Sequence, residues 1–123
     1  MVIVDTSVWV DFLRQGDDRL NSWISADLVL QHPFVTAEIG MGSFRNSDDR
    51  TNVVDLLNSF LQVEACDCAE FHRFVGDNRL FGTGIGFADA HLLHACLQKP
   101  SKRLATRDRR LADQARAIGI EVV

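Results

Sequence analysis

Four carboxylates stand where the chain could do chemistry. Asp5 directly follows the β-branched run Val2-Ile3-Val4, and Asp108 comes two residues after the brief expected strand Lys102–Thr106. Glu38 lies in a helical segment that follows Leu28-Val29-Leu30, and Asp89 falls in the first turn of a helix after the glycine-rich run Gly82-Thr83-Gly84-Ile85-Gly86. In parallel α/β sheets, ligands collect at the carboxyl ends of the strands. Asp5 and Asp108 would therefore open onto one edge, and all four acids are expected to converge there. Clustered like charges raise one another's pKa unless a cation joins them. An all-oxygen donor set suits Mg²⁺ or Mn²⁺ better than zinc. Ions of that kind acidify a bound water and stabilise charge on a phosphodiester under attack.

Each acid also has a plainer role open to it. Asp5 and Asp108 are good helix N-caps, and Asp89 in a first turn complements the helix dipole. Glu38 is set among apolar residues, where an unpaired buried carboxylate is expensive. The weight rests on the four contexts taken together. His91 and His94 are three residues apart on one helix with Leu92-Leu93 between them, which is not the HExxH arrangement, and structural or surface roles are expected. The glycine run lacks the preceding strand and the spacing of a dinucleotide fingerprint, and is expected to let the Asp89 helix approach its neighbours closely.

The elements that must position these residues can be read from periodicity. Strands are expected at Val2–Val4, Leu28–Leu30, Gln62–Cys66, Lys102–Thr106 and Ile120–Val123. Helices are expected over Val8–Leu13, Arg19–Ala26, Val35–Phe44, from a Thr51 cap through Leu61, from an Asp67 cap through Val75, over Phe87–Leu97, and over Asp108–Ile118. Trp9, Phe12, Trp23 and Phe34 are chiefly core candidates. Short apolar strands alternating with amphipathic helices imply an α/β chain, a three-layer α/β/α sandwich around a central parallel sheet. The 123 residues make one domain, 1–123.

Apolar residues form 46% of the chain and charged residues 24%, the balance of a soluble protein. Met1-Val2-Ile3-Val4 runs into Asp5 without a basic leader, and no apolar stretch is long enough for a membrane span, so a cytoplasmic protein is expected. The three cysteines, Cys66, Cys68 and Cys96, fit reduced thiols. Net charge is −4, unevenly spread. From Lys99 to Arg116 seven basic residues face only Asp108 and Asp113, a local balance of +5 that leaves −9 elsewhere. A basic rim beside an acidic pocket would look like this, as would a solvated helix face.

Four segments in register resemble the motifs of PIN-domain nucleases, in the form found in VapC-type toxins. Val2-Ile3-Val4-Asp5-Thr6-Ser7-Val8-Trp9 is similar to their first acidic motif, and His32-Pro33-Phe34-Val35-Thr36-Ala37-Glu38 to the second. Gly84 through Leu93, around Asp89, resembles the third, and Ala105-Thr106-Arg107-Asp108-Arg109-Arg110-Leu111 the Thr-x-Asp motif near the C-terminus. The resemblance spans nearly the whole chain. It implies a metal-dependent endoribonuclease with Asp5, Glu38, Asp89 and Asp108 as metal-binding and catalytic acids on Mg²⁺ or Mn²⁺. Thr6 and Thr106 would orient carboxylates or water. Lys102, Arg103, Arg107, Arg109 and Arg110 are candidate phosphate contacts for a structured RNA such as tRNA or rRNA. The resemblance further implies a homodimer and a cognate VapB-like antitoxin that occludes the acidic pocket. Two places depart from the pattern: Phe87-Ala88 where an aliphatic pair is expected, and His94 where a small residue is. Neither removes an acid.

Three other readings compete. A haloacid-dehalogenase-type phosphatase needs a second Asp where Ser7 stands. A phospho-acceptor receiver needs an acidic pair and a late lysine, but Asp5 is unpaired and Arg107 stands near the lysine position. An inactive PIN-like module that only binds RNA or another partner would not need all four acids.

Overall fold

The computed structural model describes residues 1–98 and 102–123; Lys99 lies outside them. In chain order the elements are β1 (Val2–Val4), α1 (Thr6–Gln15), α2 (Asp18–Ser25), β2 (Val29–Gln31), α3 (Pro33–Gly40) and α4 (Ser47–Asn58). They continue with β3 (Leu61–Gln62), α5 (Cys68–Asp77), α6 (Phe87–Gln98), β4 (Arg103–Ala105) and α7 (Arg109–Ala117). The four strands form one parallel sheet in the order β3-β2-β1-β4. Val2 is opposite both Val29 and Arg103, and Val4 is opposite Ala105. β1 is thus central, and β4, the last strand in the chain, lies beside the first.

Successive strand residues point to opposite faces of a sheet. Val2, Ile3 and Val4 are all fully buried, so both faces of β1 are covered, as a three-layer α/β/α sandwich requires. The core continues into Trp9, Leu20, Leu57, Leu92, Leu93, Leu104 and Leu111, which join helices on either side of the chain's midpoint to the same sheet. Phe12 and Trp23 pack partly buried against that core.

A buried polar chain sets the position of α3. Trp9 Nε1 donates to Gln31 Oε1 at 2.9 Å, and Gln31 Nε2 donates to Thr36 Oγ1 at 2.9 Å. Each of these buried polar groups is satisfied, so α1, β2 and α3 are held in one register. His32 begins α3 as its N-cap: its Nδ1 accepts from Phe34 N–H at 3.0 Å, with Pro33 in the first turn. Burial, then the neighbouring His91, pushes the His32 pKa down to about 4, which keeps the ring neutral and Nδ1 free to accept.

Several expected boundaries move. α3 ends at Gly40, short of Phe44, and Arg50 Nε donates to the Gly40 carbonyl at 2.7 Å, satisfying an orphan acceptor at the helix end. α4 starts at Ser47 rather than after Thr51, because Asn46 Oδ1 accepts from Asp49 N–H at 2.8 Å and Asp48 and Asp49 suit the first turn. The polar stretch Arg45–Arg50 is therefore largely helical. β3 covers Leu61–Gln62 and not Gln62–Cys66. The expected strand Ile120–Val123 reduces to one parallel bridge between Leu104 and Val122. Among the described residues, no helix is long and apolar enough to cross a membrane.

Candidate active site

The site forms where β1 and β4 end side by side. Asp5 N–H donates to the Ala105 carbonyl at 2.9 Å, extending the β1–β4 pairing by one residue. Asp5 is the N-cap residue of α1, yet its side chain makes no capping hydrogen bond. Its carboxylate instead accepts two hydroxyls on Oδ2: Thr106 Oγ1 at 2.7 Å and Ser7 Oγ at 2.8 Å. Both hydroxyls are themselves held by the second turn. Asp108 N–H donates to Thr106 Oγ1 at 3.0 Å, and Arg107 N–H donates to Ser7 Oγ at 3.0 Å. The turn after β1 is thus latched to the turn after β4. Asp5, only 3% exposed, is thereby fixed in orientation, and both hydroxyls use its Oδ2.

Asp108 is an N-cap. Its Oδ1 accepts from Arg110 N–H and Leu111 N–H at 2.9 and 3.2 Å, capping α7. The cap role expected of it is real, and its Oδ2 takes no part in the cap. Asp89 sits in the first turn of α6, half-buried, with Gly86 N–H at a long 3.4 Å from its Oδ2. Burial pushes the Asp89 pKa up to about 6; Asp5 raises it further, as do Asp108 and Glu38, while the Gly86 amide opposes them. The four acids therefore share one electrostatic field. Glu38 is on the exposed side of α3 together with Ala37, and not buried among apolar residues: Val35, Thr36, Ile39 and Gly40 pack inward, while it faces solvent.

The two threonines part company. Thr106 touches Asp5, but Thr6 Oγ1 is buried and, among the described residues, has no hydrogen-bond partner. The hydroxyl expected of Thr6 is supplied by Ser7. Ser7 stands two residues from Asp5 at the start of α1, close enough for its hydroxyl to reach the carboxylate.

The basic candidates also divide. Arg109 and Arg110 are exposed in the first turn of α7, next to Asp108. The Arg110 guanidinium lies over Gly84, where an added Cβ would be 2.8 Å from its Nη1. Gly84 also has φ +86°, a left-handed backbone that calls for glycine there. Arg107 is committed elsewhere: it pairs with Asp11 and Asp17, tying the β4–α7 turn to α1 and the start of α2. Lys102 and Arg103 lie at the amino end of the sheet, since Arg103 is opposite Val2 and Lys102 Nζ donates to the Ala95 carbonyl at 3.1 Å. Parallel β1 and β4 put those two on the edge away from the acids.

The donor set at the acidic edge is all oxygen, is oriented by hydroxyls and carries mutual repulsion that a cation would relieve, so it fits a hard divalent ion. No three of these acids crowd within 4.8 Å, a spacing reached among the described residues by Cys66, Glu70 and His94. Mg²⁺ characteristically keeps several of its waters, and such an ion can span carboxylates set wider apart. His91 and His94 are buried rather than on the surface. His91 stacks on Phe71 with centroids 4.1 Å apart, within an aromatic cluster that includes Phe34 and Phe87.

Residues 2–117 match the family model described as PIN domain. Over 111 residues the chain is 40% identical to Ribonuclease VapC32 of Mycobacterium tuberculosis, covering 90% of this chain and 87% of that protein. PAE2754 from Pyrobaculum aerophilum shares the fold with a TM-score of 0.69 at 18% identity, over 99% of this chain and 88% of the other. FitAcB from Neisseria gonorrhoeae does so with a TM-score of 0.64 at 21% identity, over 99% and 96%. The sheet order, the latched acidic edge and these likenesses have one account: the chain belongs to the PIN-domain family, as a member of its VapC type.

Proposed function

We propose that this protein is an endoribonuclease toxin of a VapBC-type pair, using Mg²⁺ or Mn²⁺ held by Asp5, Glu38, Asp89 and Asp108, and silenced by a VapB-like antitoxin. The observation that carries the reading is the latched edge where β1 and β4 end, with Asp5 held by Thr106 and Ser7 and Asp108 fixed as a cap. Asp89, its pKa raised by burial and then by Asp5, shares that edge's field. Likeness to a protein named Ribonuclease VapC32 supports RNA as the substrate. A bound divalent ion would supply an acidified water and neutralise charge on the phosphodiester. The chain's own part is orientation. Thr106 and Ser7 fix Asp5, the α7 cap fixes Asp108, and Arg109 and Arg110 offer positive charge beside them to an RNA backbone. A second protomer and the antitoxin complete the proposed assembly in the cytoplasm.

The test is cleavage of total RNA by partner-free protein. Wild type should cut in a Mg²⁺- or Mn²⁺-dependent way and stop with chelator, while Asp5→Asn and Asp89→Asn fold but do not cut. In this reading the nucleophile is a metal-activated water and not the 2′-hydroxyl, so the ends should be 3′-hydroxyl and 5′-phosphate. Cyclic 2′,3′-phosphate ends, or equal cutting by folded Asp variants, would overturn the assignment.

A further inference from the structure

We propose that Cys66, Glu70 and His94 form a second metal site, for a zinc-class divalent ion, built from residues other than the four acids. One ligand atom from each lies within 4.8 Å of the other two. His94 Nε2 is 3.1 Å from Glu70 Oε1. A tetrahedral zinc with bonds of about 2.0–2.3 Å holds its ligand atoms roughly 3.3–3.7 Å apart. Closing this trio onto an ion therefore needs side-chain adjustment and no movement of helices.

The local structure aims the three residues together. Asp67 caps α5 by accepting from Glu70 N–H at 2.8 Å, which sets Glu70 one turn into the helix and Cys66 just ahead of it. His94 comes from the middle of α6, buried, with its ring edge-on to Phe74 at 5.2 Å between centroids. α5 and α6 pack together, so the ligands come from elements already in contact. The trio borders a cleft of about 770 Å³ that also involves Met1, Gln98 and Lys102. The cleft is also lined by Val63, Glu64, Ala65 and Cys66, which follow β3, and none of the four acids Asp5, Glu38, Asp89 and Asp108 lines it.

Donor chemistry selects the ion. Thiolate and imidazole favour zinc-class metals over Mg²⁺, and one carboxylate with one thiolate balances a charge of 2+. Three protein ligands with a fourth position facing a cleft leave room for water or a small donor. The ion would pin the start of α5 to α6, the helix that carries Asp89 five residues before His94.

The proposal is independent of the ribonuclease reading, and its test uses no RNA. The full chain, treated with chelator and then freed of it, is titrated with Co²⁺ in the presence of excess Mg²⁺. One equivalent should give a near-ultraviolet thiolate-to-cobalt charge-transfer band that stoichiometric Zn²⁺ bleaches. Cys66→Ser should abolish the band. Glu70→Gln, at an exposed position, should keep the fold and weaken Co²⁺ binding at least about tenfold. Asp5→Asn and Asp89→Asn should leave the band unchanged. Absence of the band in wild type, its survival in Cys66→Ser, or its loss with the Asp variants would each overturn the proposal.

Discussion

Asp89 is the residue on which the other three acids act. Its folded pKa of about 6 lies above the ordinary 3.8, through burial first and then Asp5. The fold thus binds this proton more tightly than the unfolded chain, and stability declines as pH rises between those two values, with the full loss present above the higher one. In metal-free protein, Asp89→Asn should therefore raise stability at about pH 7.5, by on the order of 1–2 kcal/mol, and by clearly less at about pH 4.5. Urea unfolding at the two pH values checks this; equal gains would mean that Asp89 does not feel its neighbours. The hydroxyls beside it make a second contrast. Thr106→Val removes a donor to Asp5 and should cut cleavage roughly 10–100-fold, with Thr106→Ser restoring it. Thr6→Val removes a buried hydroxyl with no partner among the described residues, and should leave cleavage alone while raising stability by about 1 kcal/mol. Thermal melts beside initial rates separate the two. The order of Thr6 and Thr106 could not be read from sequence, since both adjoin an acid; only the pairing of β1 with β4 decides which hydroxyl reaches Asp5.

At the scale of elements, what was legible was what local chemistry determines. The Asp67 and Asp108 caps, the β-branched run of β1 and the apolar face of α6 are each written in a few adjacent residues, and each stands where expected. The boundaries that moved depend on distant partners. α3 ends at a carbonyl bonded by Arg50, and Ile120–Val123 meets β4 at a single bridge too short to make a strand. The grouping of Cys66, Glu70 and His94 was hidden for the same reason, since it arises only when α5 packs on α6. The basic residues show the consequence most directly. Charge counting treats Lys102 to Arg110 as one patch, but parallel pairing sends Lys102 and Arg103 to one end of the sheet and Arg109 and Arg110 to the other. Neutralising Arg109 and Arg110 together should weaken RNA binding broadly and reduce the salt slope by about 2. Arg103→Gln should not change it. A slope that responds to Arg103 and ignores the α7 pair would place the RNA on the opposite face.

At the scale of the whole molecule, a parallel sheet whose central β1 is buried on both faces leaves its strand ends for chemistry. The carboxyl end gathers like charges, which the metal-free fold must hold together and which unfolding lets separate into water. An ion that binds only the folded state stabilises it in proportion to its affinity for that state. Mg²⁺ or Mn²⁺ should therefore raise the melting temperature of wild type well above its value in chelator. Asp5→Asn and Asp89→Asn should start no lower than wild type in chelator and gain much less from the ion, a trade of stability against activity common at functional sites. Glu70→Gln, outside the four acids, should gain as much as wild type. Melts of the four proteins, each with chelator and with millimolar ion, distinguish the two sites. If all four shift equally, the ion binds elsewhere and the four acids are not its site. If the Asp variants melt far below wild type in chelator, the carboxylates are there chiefly to hold α1 and α7 in place, and the repulsion inferred from Asp89 is outweighed by the hydrogen bonds that Asp5 receives from Thr106 and Ser7.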